Sequence, residues 1–304
     1  MSRHSNTVIP VPNQGWDERI FVFANDELVQ TFIVVTQRYV MLIDTMINAA
    51  TAVQLLQQAQ MFLENGRQLL VINTHADYDH AWGNQVFARP AAQHPAPIIG
   101  SRLCAARLRD AETQANVTEM AAEEPHVFGD VIPTPPTVLF DEALTIEGGD
   151  LTLELFATPG HTPDHIALYI PEISTLLAAD AAERPFPFAR TAASLPAMRQ
   201  SLARLAAYQA SHVLYCHAPV TMGGQLLENN ITYFDKVEQH CRVALAQERP
   251  IPAEDSDLIA AIDLPYAQAV PQDESWQTVH EFYQTTGHAR QIRAMLEWLT
   301  GQMK

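Results

Sequence analysis

Between Leu69 and Phe87 the chain reads LLVINTHADYDHAWGNQVF, an apolar run that stops abruptly at a cluster of polar side chains. His75, Asp77, Asp79 and His80 place two imidazoles and two carboxylates within six positions, with Tyr78 among them. Imidazole nitrogens and carboxylate oxygens are the donors that divalent first-row metals select. They are also the groups that carry protons in acid–base catalysis. Taken alone, such a stretch on a polar loop reads equally well as a solvated turn.

Three more donors share a local setting. His161 follows the run LTLELFATPG, Asp180 follows STLLAA and His217 follows HVLYC. Each stands just past a short apolar stretch with strand character, where loops on a rigid sheet carry functional side chains. With the strand before His75, this places four loops on one rim. His75, Asp77, Asp79, His80, His161, Asp180 and His217 together offer four imidazoles and three carboxylates, a set suited to two divalent metals with room left for water. His4, His94, His126, His240 and His280 fall in loops or on helix surfaces and read as ordinary surface residues. His212 opens a strand and reads as structural.

The elements that would position these donors follow from patterning. Residues 20–44 alternate β-branched and aromatic runs with Asn25-Asp26 and Thr36-Gln37-Arg38, which predicts strands joined by hairpin turns. Residues 49–64 carry apolar side chains at helical spacing and end at Asn65-Gly66. Strand 69–72 leads into the cluster, and Ala81 to Phe87 begins another helix. A proline-rich link, Pro90 to Pro97, precedes a short strand at Ile98-Ile99, a polar helix over 101–124 and a proline-broken loop from Val131 to Pro136. Strands are predicted at Val138 and over 151–157, 166–170, 174–178 and 212–216, with a helix over 194–210. Gly148-Gly149-Asp150 reads as a hairpin turn, not as a dinucleotide loop. Two helices, 226–247 and 275–302, follow, separated by Pro250 to Pro271. The expected division is a first domain over 1–225 and a helical extension over 226–304 packing on it.

With 18 basic against 35 acidic residues and a formal net charge of −17, the chain repels phosphate backbones and anionic membrane surfaces. Nucleic acid is not an expected partner, and a nuclease activity is disfavoured. Three widely spaced cysteines, Cys104, Cys216 and Cys241, indicate neither a disulfide framework nor a thiolate zinc site. The opening MSRHSNTVIPVPNQGW lacks the apolar centre of a signal peptide, and no run approaches the roughly 20 apolar residues that span a bilayer. A cytoplasmic address without membrane attachment is expected. The aromatic segment from Trp276 to Trp298 suits either a core face or a homodimer surface.

At this point the chain resembles the metallo-β-lactamase superfold. The family's His-x-His-x-Asp-His motif stands here as the variant His75-Ala-Asp77-Tyr-Asp79-His80, followed by Ala-Trp-Gly-Asn. Thr158-Pro-Gly-His161-Thr-Pro-Asp-His165 resembles its second motif, Asp180 its bridging aspartate and His217 its final histidine. The stretch from Phe32 to Asp44, ending LIDT, resembles its early strand pair. The resemblance covers about residues 15–220 and implies an α/β fold, a four-layer αββα sandwich, here with an added C-terminal helical segment. It implies that His75, Asp77 and His161 hold a first metal, that Asp79, His80 and His217 hold a second, and that Asp180 bridges them. His165 then reads as a supporting position behind the ligands. Tyr78 either packs or contacts substrate. His288 reads as surface, or as reaching substrate if the last helix folds over the rim.

Asp77 stands where the family's second histidine is usual. Three carboxylates and a bridging hydroxide would formally neutralise two divalent ions, whereas the all-histidine version keeps one positive charge and so acidifies water more strongly. The resemblance implies a hydrolase of the glyoxalase II or lactonase kind. It would use a binuclear centre and bridging hydroxide on an ester, thioester, lactone or related small molecule, with zinc foremost and Asp79 orienting the attacking water. Segment 101–136 and the C-terminal helices are candidates to wall the substrate. The set His75, Asp77 and His161 also suits iron or manganese, and the flavodiiron branch shares both a carboxylate there and the His161–Asp180 spacing. A diiron or mononuclear-iron oxidoreductase is therefore an alternative, though no flavodoxin-like segment follows the core. A non-catalytic metal-binding module is the third reading.

Overall fold

The computed structural model describes residues 3–88, 92 and 94–302. Part of the expected proline-rich link, residues 90, 91 and 93, lies outside the described residues. By compactness the chain divides into two units. The first comprises residues 1–157, 164–179 and 211–221, the second 158–163, 180–210 and 222–304. A single boundary at 225/226 was expected. The last crossover between the units is at 221/222, and segments 158–163 and 180–210 belong with the later helices.

In the first unit an antiparallel meander opens the fold: β1 (Ile9–Val11), β2 (Ile20–Asn25), β3 (Val29–Val35) and β4 (Tyr39–Ile43). Asp26 turns the β2–β3 hairpin with φ +47°, a conformation that Asp tolerates better than most residues. Helix α1 (Ala49–Gln60) starts from a capping box, with Asn48 accepting from the Thr51 N–H and Thr51 from the Asn48 N–H. It returns the chain to β5 (Gln68–Ile72), parallel to β4. Helix α2 (Tyr78–Ala81) and a 3-10 turn over Trp82–Val86 follow. Gly83 is required there, since a Cβ would lie 2.3 Å from the Thr45 carbonyl oxygen. Then come β6 (Ile98–Ser101), α3 (Arg102–Arg107), α4 (Ala111–Glu123), α5 (Pro125–Phe128) and β7 (Val138–Phe140).

Strands β8 (Ala143–Glu147), β9 (Thr152–Ala157), β10 (Ile166–Ile170), β11 (Thr175–Leu177) and β12 (His212–Leu214) form a second sheet, antiparallel except for the β11–β12 pair. Among the described residues the sheets run β1 to β7 in order, and β12-β11-β10-β9-β8. One apolar core unites them, with Phe32, Ile33, Val40 and Met41 of the first sheet beside Leu153, Leu155 and Leu168 of the second, and Leu55 and Leu56 of α1 covering it. This is the mixed α/β, two-sheet architecture expected of an αββα sandwich with helices appended.

Several local expectations are corrected. Helix α1 ends at Gln60, not at residue 64, because the next turn tightens into bonds from Phe62 N to Ala59 O (3.0 Å) and Leu63 N to Gln60 O (3.1 Å). The helix over 101–124 is broken before Ala111, where the Asp110 carboxylate accepts from Thr113 N at 2.7 Å and caps α4. The helix expected from Ala81 begins at Tyr78 and is 3-10 from Trp82. Strands β1 and β8 were not anticipated.

The second unit is helical: α6 (Leu195–Ala207), α7 (Gln225–Ala246), α8 (Leu258–Ile262), α9 (Tyr266–Ala269), α10 (Glu274–Gln277), a π turn over Tyr283–Gly287, and α11 (His288–Gln302). The expected continuous helix 275–302 is therefore interrupted; the His280 Nδ1 accepts from Phe282 N at 3.1 Å in the break. Trp276 is buried, as are Ile292, Met295 and Leu299 on α11. Among the described residues no helix is long and apolar enough to cross a membrane.

His288, expected at the surface, is fully buried: its Nδ1 lies 2.8 Å from the Tyr233 hydroxyl and its Nε2 2.8 Å from the Leu264 carbonyl oxygen. Burial holds the Tyr233 proton on, so the hydroxyl donates to Nδ1 and Nε2–H donates to Leu264. Burial likewise pushes the imidazole down to about 4 from an ordinary 6.5. The unfolded chain then binds the extra proton between these values, so this contribution is complete above about 6.5 and is lost as pH falls toward 4. Its full size is about 3 kcal/mol. His288→Gln, which keeps a donor and an acceptor but cannot titrate, should flatten the pH dependence of urea unfolding in that window by about one proton. Identical slopes in variant and parent would contradict this.

Candidate metal centre

The loop after β5 is built around a buried carboxylate. Asp44, at the end of β4, has φ +70° and binds Ile72 O through its own N–H at 2.7 Å, which aims its side chain at the next strand's loop. Its Oδ1 accepts from Thr74 N at 2.7 Å. Its Oδ2 accepts from Thr74 Oγ1 at 2.7 Å and from His80 Nδ1 at 2.8 Å. The Thr74 hydroxyl has given its proton to Asp44, so it can only accept from His75 Nδ1, 3.0 Å away. Both imidazoles thus carry hydrogen on Nδ1 and keep Nε2 as a lone-pair donor. A carboxylate behind a histidine in this way fixes tautomer and ring direction for metal binding. Reciprocal amide bonds between Asn73 and Asn84, at 3.0 and 2.8 Å, brace the same loop.

His80 Nε2 lies 3.7 Å from Asp79 Oδ2, and His217 Nε2 lies 3.2 Å from the same oxygen. The His217 loop after β12 is held by Gln30, whose N–H donates to Cys216 O at 2.8 Å and whose amide donates to Ala218 O at 3.2 Å. Donors bound at about 2.0–2.1 Å in a tetrahedron lie about 3.3–3.4 Å apart. The observed spacings straddle that edge, and 3.7 Å is too long for a good N–H···O bond. Two nitrogens and one oxygen with a position left open fit a divalent ion. Asp44, His80 and Cys216 also bring donor atoms within 4.8 Å of one another, but there Asp44 faces the protonated nitrogen and serves to hold it.

His75 Nε2 and Asp77 Oδ2 lie 3.6 Å apart. The other Asp77 oxygen accepts from Arg107 Nη2 at 2.8 Å, and Arg107 Nη1 donates to the buried Asp164 at 2.5 Å. Asp77 is thus salt-linked on one side and faces His75 on the other.

In the second unit, His161 and Asp180 bring Nε2 and Oδ2 to 3.7 Å, and Glu183 Oε1 stands 3.1 Å from His161 Nδ1. The Glu183 backbone is gripped by Asn230 of α7, which accepts from its N–H at 3.0 Å and donates to its carbonyl at 2.9 Å. Gly160, at φ +148°, allows the loop to press on α6, where a Cβ would meet the Met198 Cα at 2.3 Å. Donor atoms of His161, Asp180 and Glu183 all lie within 4.8 Å of one another.

The profile of the metallo-beta-lactamase superfamily matches residues 24–217. The chain belongs to this superfamily. Among solved structures it is similar to a metallo-beta-lactamase from Pontibacter korlensis (20% identity, 74% of this chain and 97% of that one, TM-score 0.55). It is also similar to a metallo-beta-lactamase family protein from Thermus thermophilus (18%, 98% and 93%, 0.62) and to a beta-lactamase domain protein from Burkholderia ambifaria (15%, 94% and 87%, 0.65). At these identities the likeness is one of fold. No curated protein matches the chain.

Against the superfamily's donor pattern, His75, Asp77, Asp79, His80 and His217 stand together in the first unit, and His161 and Asp180 in the second. His165 is buried, its ring centroid 5.0 Å from that of His75, consistent with support. Tyr78 packs edge-on against Trp82, Phe128 and His4. His4 is not the loose surface residue expected: its Nδ1 binds the Glu124 carboxylate at 2.7 Å. Asp44, Thr74, Arg107, Asp164, Glu183 and Asn230 were not anticipated as site residues. Asp44, in LIDT at a strand end, Thr74, just before His75, and Asp164, inside the second motif, stood in stretches the sequence singled out, but without a role; Arg107, Glu183 and Asn230 carried no such signal.

Asp44→Asn would turn an amide donor toward His80 Nδ1 and favour the other tautomer. Metal affinity, measured by competition with a chromophoric chelator, should fall about 10–100-fold with the circular dichroism spectrum retained. Parental affinity in the variant would contradict the role given to Asp44.

Proposed function

We propose that this superfamily member is a metal-dependent hydrolase of esters, thioesters, lactones or related small molecules, of the glyoxalase II or lactonase kind. In this reading His75, Asp77 and His161 hold a first ion, Asp79, His80 and His217 a second, and Asp180 serves both; zinc is the foremost metal. The observation that carries the reading is the hydrogen-bond chain through Asp44 and Thr74, which keeps the Nε2 atoms of His75 and His80 as lone-pair donors beside Asp79 and His217. Bound divalent ions supply an activated water at neutral pH and polarise a carbonyl.

The chain's own residues do the rest. Asp79 accepts a hydrogen bond from the attacking water and sets its direction. His75 and His80 cannot rotate without breaking bonds to Thr74 and Asp44, so the donor geometry is organised before substrate arrives. Segment 101–136 is proposed to wall the substrate. A cytoplasmic address and a homodimer belong to the same proposal.

Asp77 favours a second reading, an iron oxidoreductase on the two-histidine, one-carboxylate set. Expression in defined medium followed by elemental analysis and visible spectroscopy separates the two. Colourless protein with zinc or manganese and turnover of an ester or lactone panel supports hydrolysis, whereas coloured, oxygen-sensitive iron protein without such turnover supports redox chemistry. In the hydrolase reading, His161→Ala or Asp180→Ala should lower metal content and cut turnover more than about a hundredfold, beyond the effect typical of supporting residues, with the fold retained. Undiminished turnover in either variant would refute it.

A further inference from the structure

Asp77 sits at the N-cap of α2, where an aspartate ordinarily spends an oxygen on the helix's first N–H groups. Here it makes no such cap bond. Its Oδ1 is taken instead by Arg107 Nη2 at 2.8 Å, while Oδ2 faces His75 Nε2 at 3.6 Å.

The guanidinium is itself fixed. Nη1 donates at 2.5 Å to Asp164, whose side chain is 0% exposed. The other Asp164 oxygen accepts from the N–H of Ala76, between His75 and Asp77, at 2.8 Å. The Asp164 carbonyl accepts from Ser101 Oγ at 2.9 Å, and the Arg107 carbonyl accepts from Thr113 Oγ1 at 2.7 Å. One planar fork, held at both ends, thus ties the metal-binding loop to α3.

We propose that Arg107 is the positioning residue of Asp77: by occupying Oδ1 it leaves Oδ2 as the only oxygen presented beside His75. The carboxylate then acts as a one-atom ligand, as an imidazole nitrogen would, and is prevented from chelating through both oxygens. The inference rests on the metal-centre reading above. Charge is a secondary effect, since Asp77, Arg107 and Asp164 sum to one negative charge; the guanidinium reduces what Asp77 adds to the site without cancelling it.

Removing Arg107 alone would strand the buried Asp164 charge and risk the fold. The test is therefore Arg107→Met made in an Asp164→Asn background, compared with Asp164→Asn alone, each reconstituted with cobalt(II). Cobalt visible bands weaken as coordination number rises. The Arg107→Met change should lower band intensity, because the freed carboxylate adds its second oxygen, and Arg107→Lys in the same background should restore part of the intensity. Repeating the comparison with Asp77→Asn, whose side chain cannot chelate through two oxygens, should abolish the difference. A spectrum that is unchanged or gains intensity on Arg107→Met, or a loss that persists with Asp77→Asn, overturns the inference while leaving the metal centre intact. A parent protein that binds no cobalt overturns the metal-centre reading and this inference with it.

Discussion

The buried Asp44 carboxylate accepts hydrogen bonds from Thr74 N, Thr74 Oγ1 and His80 Nδ1, all between 2.7 and 2.8 Å. A carboxylate removed from water is costly unless donors replace its hydration, and these three come from a single loop. The loop must therefore close on the end of β4 in one arrangement, and that arrangement turns two imidazoles the same way. The strands serve this contact: β4 and β5 are parallel neighbours, so their C-terminal ends deliver Asp44 and the His75–His80 loop to the same edge.

The second unit only partly repeats this arrangement. There Glu183 Oε1 stands 3.1 Å from His161 Nδ1 and Asp180 Oδ2 3.7 Å from Nε2, but the contact with Glu183 lacks hydrogen-bond geometry, so it does not fix the ring as Asp44 fixes His80. Asp77 is held differently again: its Oδ1 accepts from Arg107. The replacement of an imidazole by a carboxylate is thereby accompanied by a cation that limits what the carboxylate can do.

The meander from Ile20 to Ile43 was legible because β-branched alternation and Asn-Asp or Gln-Arg turns act locally. Strand β8 was not, since Ala143–Glu147 is mostly exposed and lacks an apolar run, its pairing with β9 supplying the order. The interruption of 275–302 escaped for a related reason: helical spacing continues through a segment that tertiary contacts bend into a π turn. The candidate donors stand out in the sequence as residue types at strand ends. Their holders do not, because Arg107 meets Asp77 across 30 positions, Asp164 across 57, and Asp44 meets His80 across 36. His288 was misread because nothing local signals that Tyr233 and Leu264 enclose it.

The central claim, that Asp44 and Thr74 set both imidazoles with hydrogen on Nδ1 and leave Nε2 to bind metal, is open to direct measurement. Long-range proton–nitrogen correlation spectra of the metal-free protein, with ring nitrogens labelled, report the tautomer of each histidine. The account predicts the Nδ1–H form for both His75 and His80, lost from both in an Asp44→Ala variant. The Nε2–H form at either residue in the parent protein would contradict it.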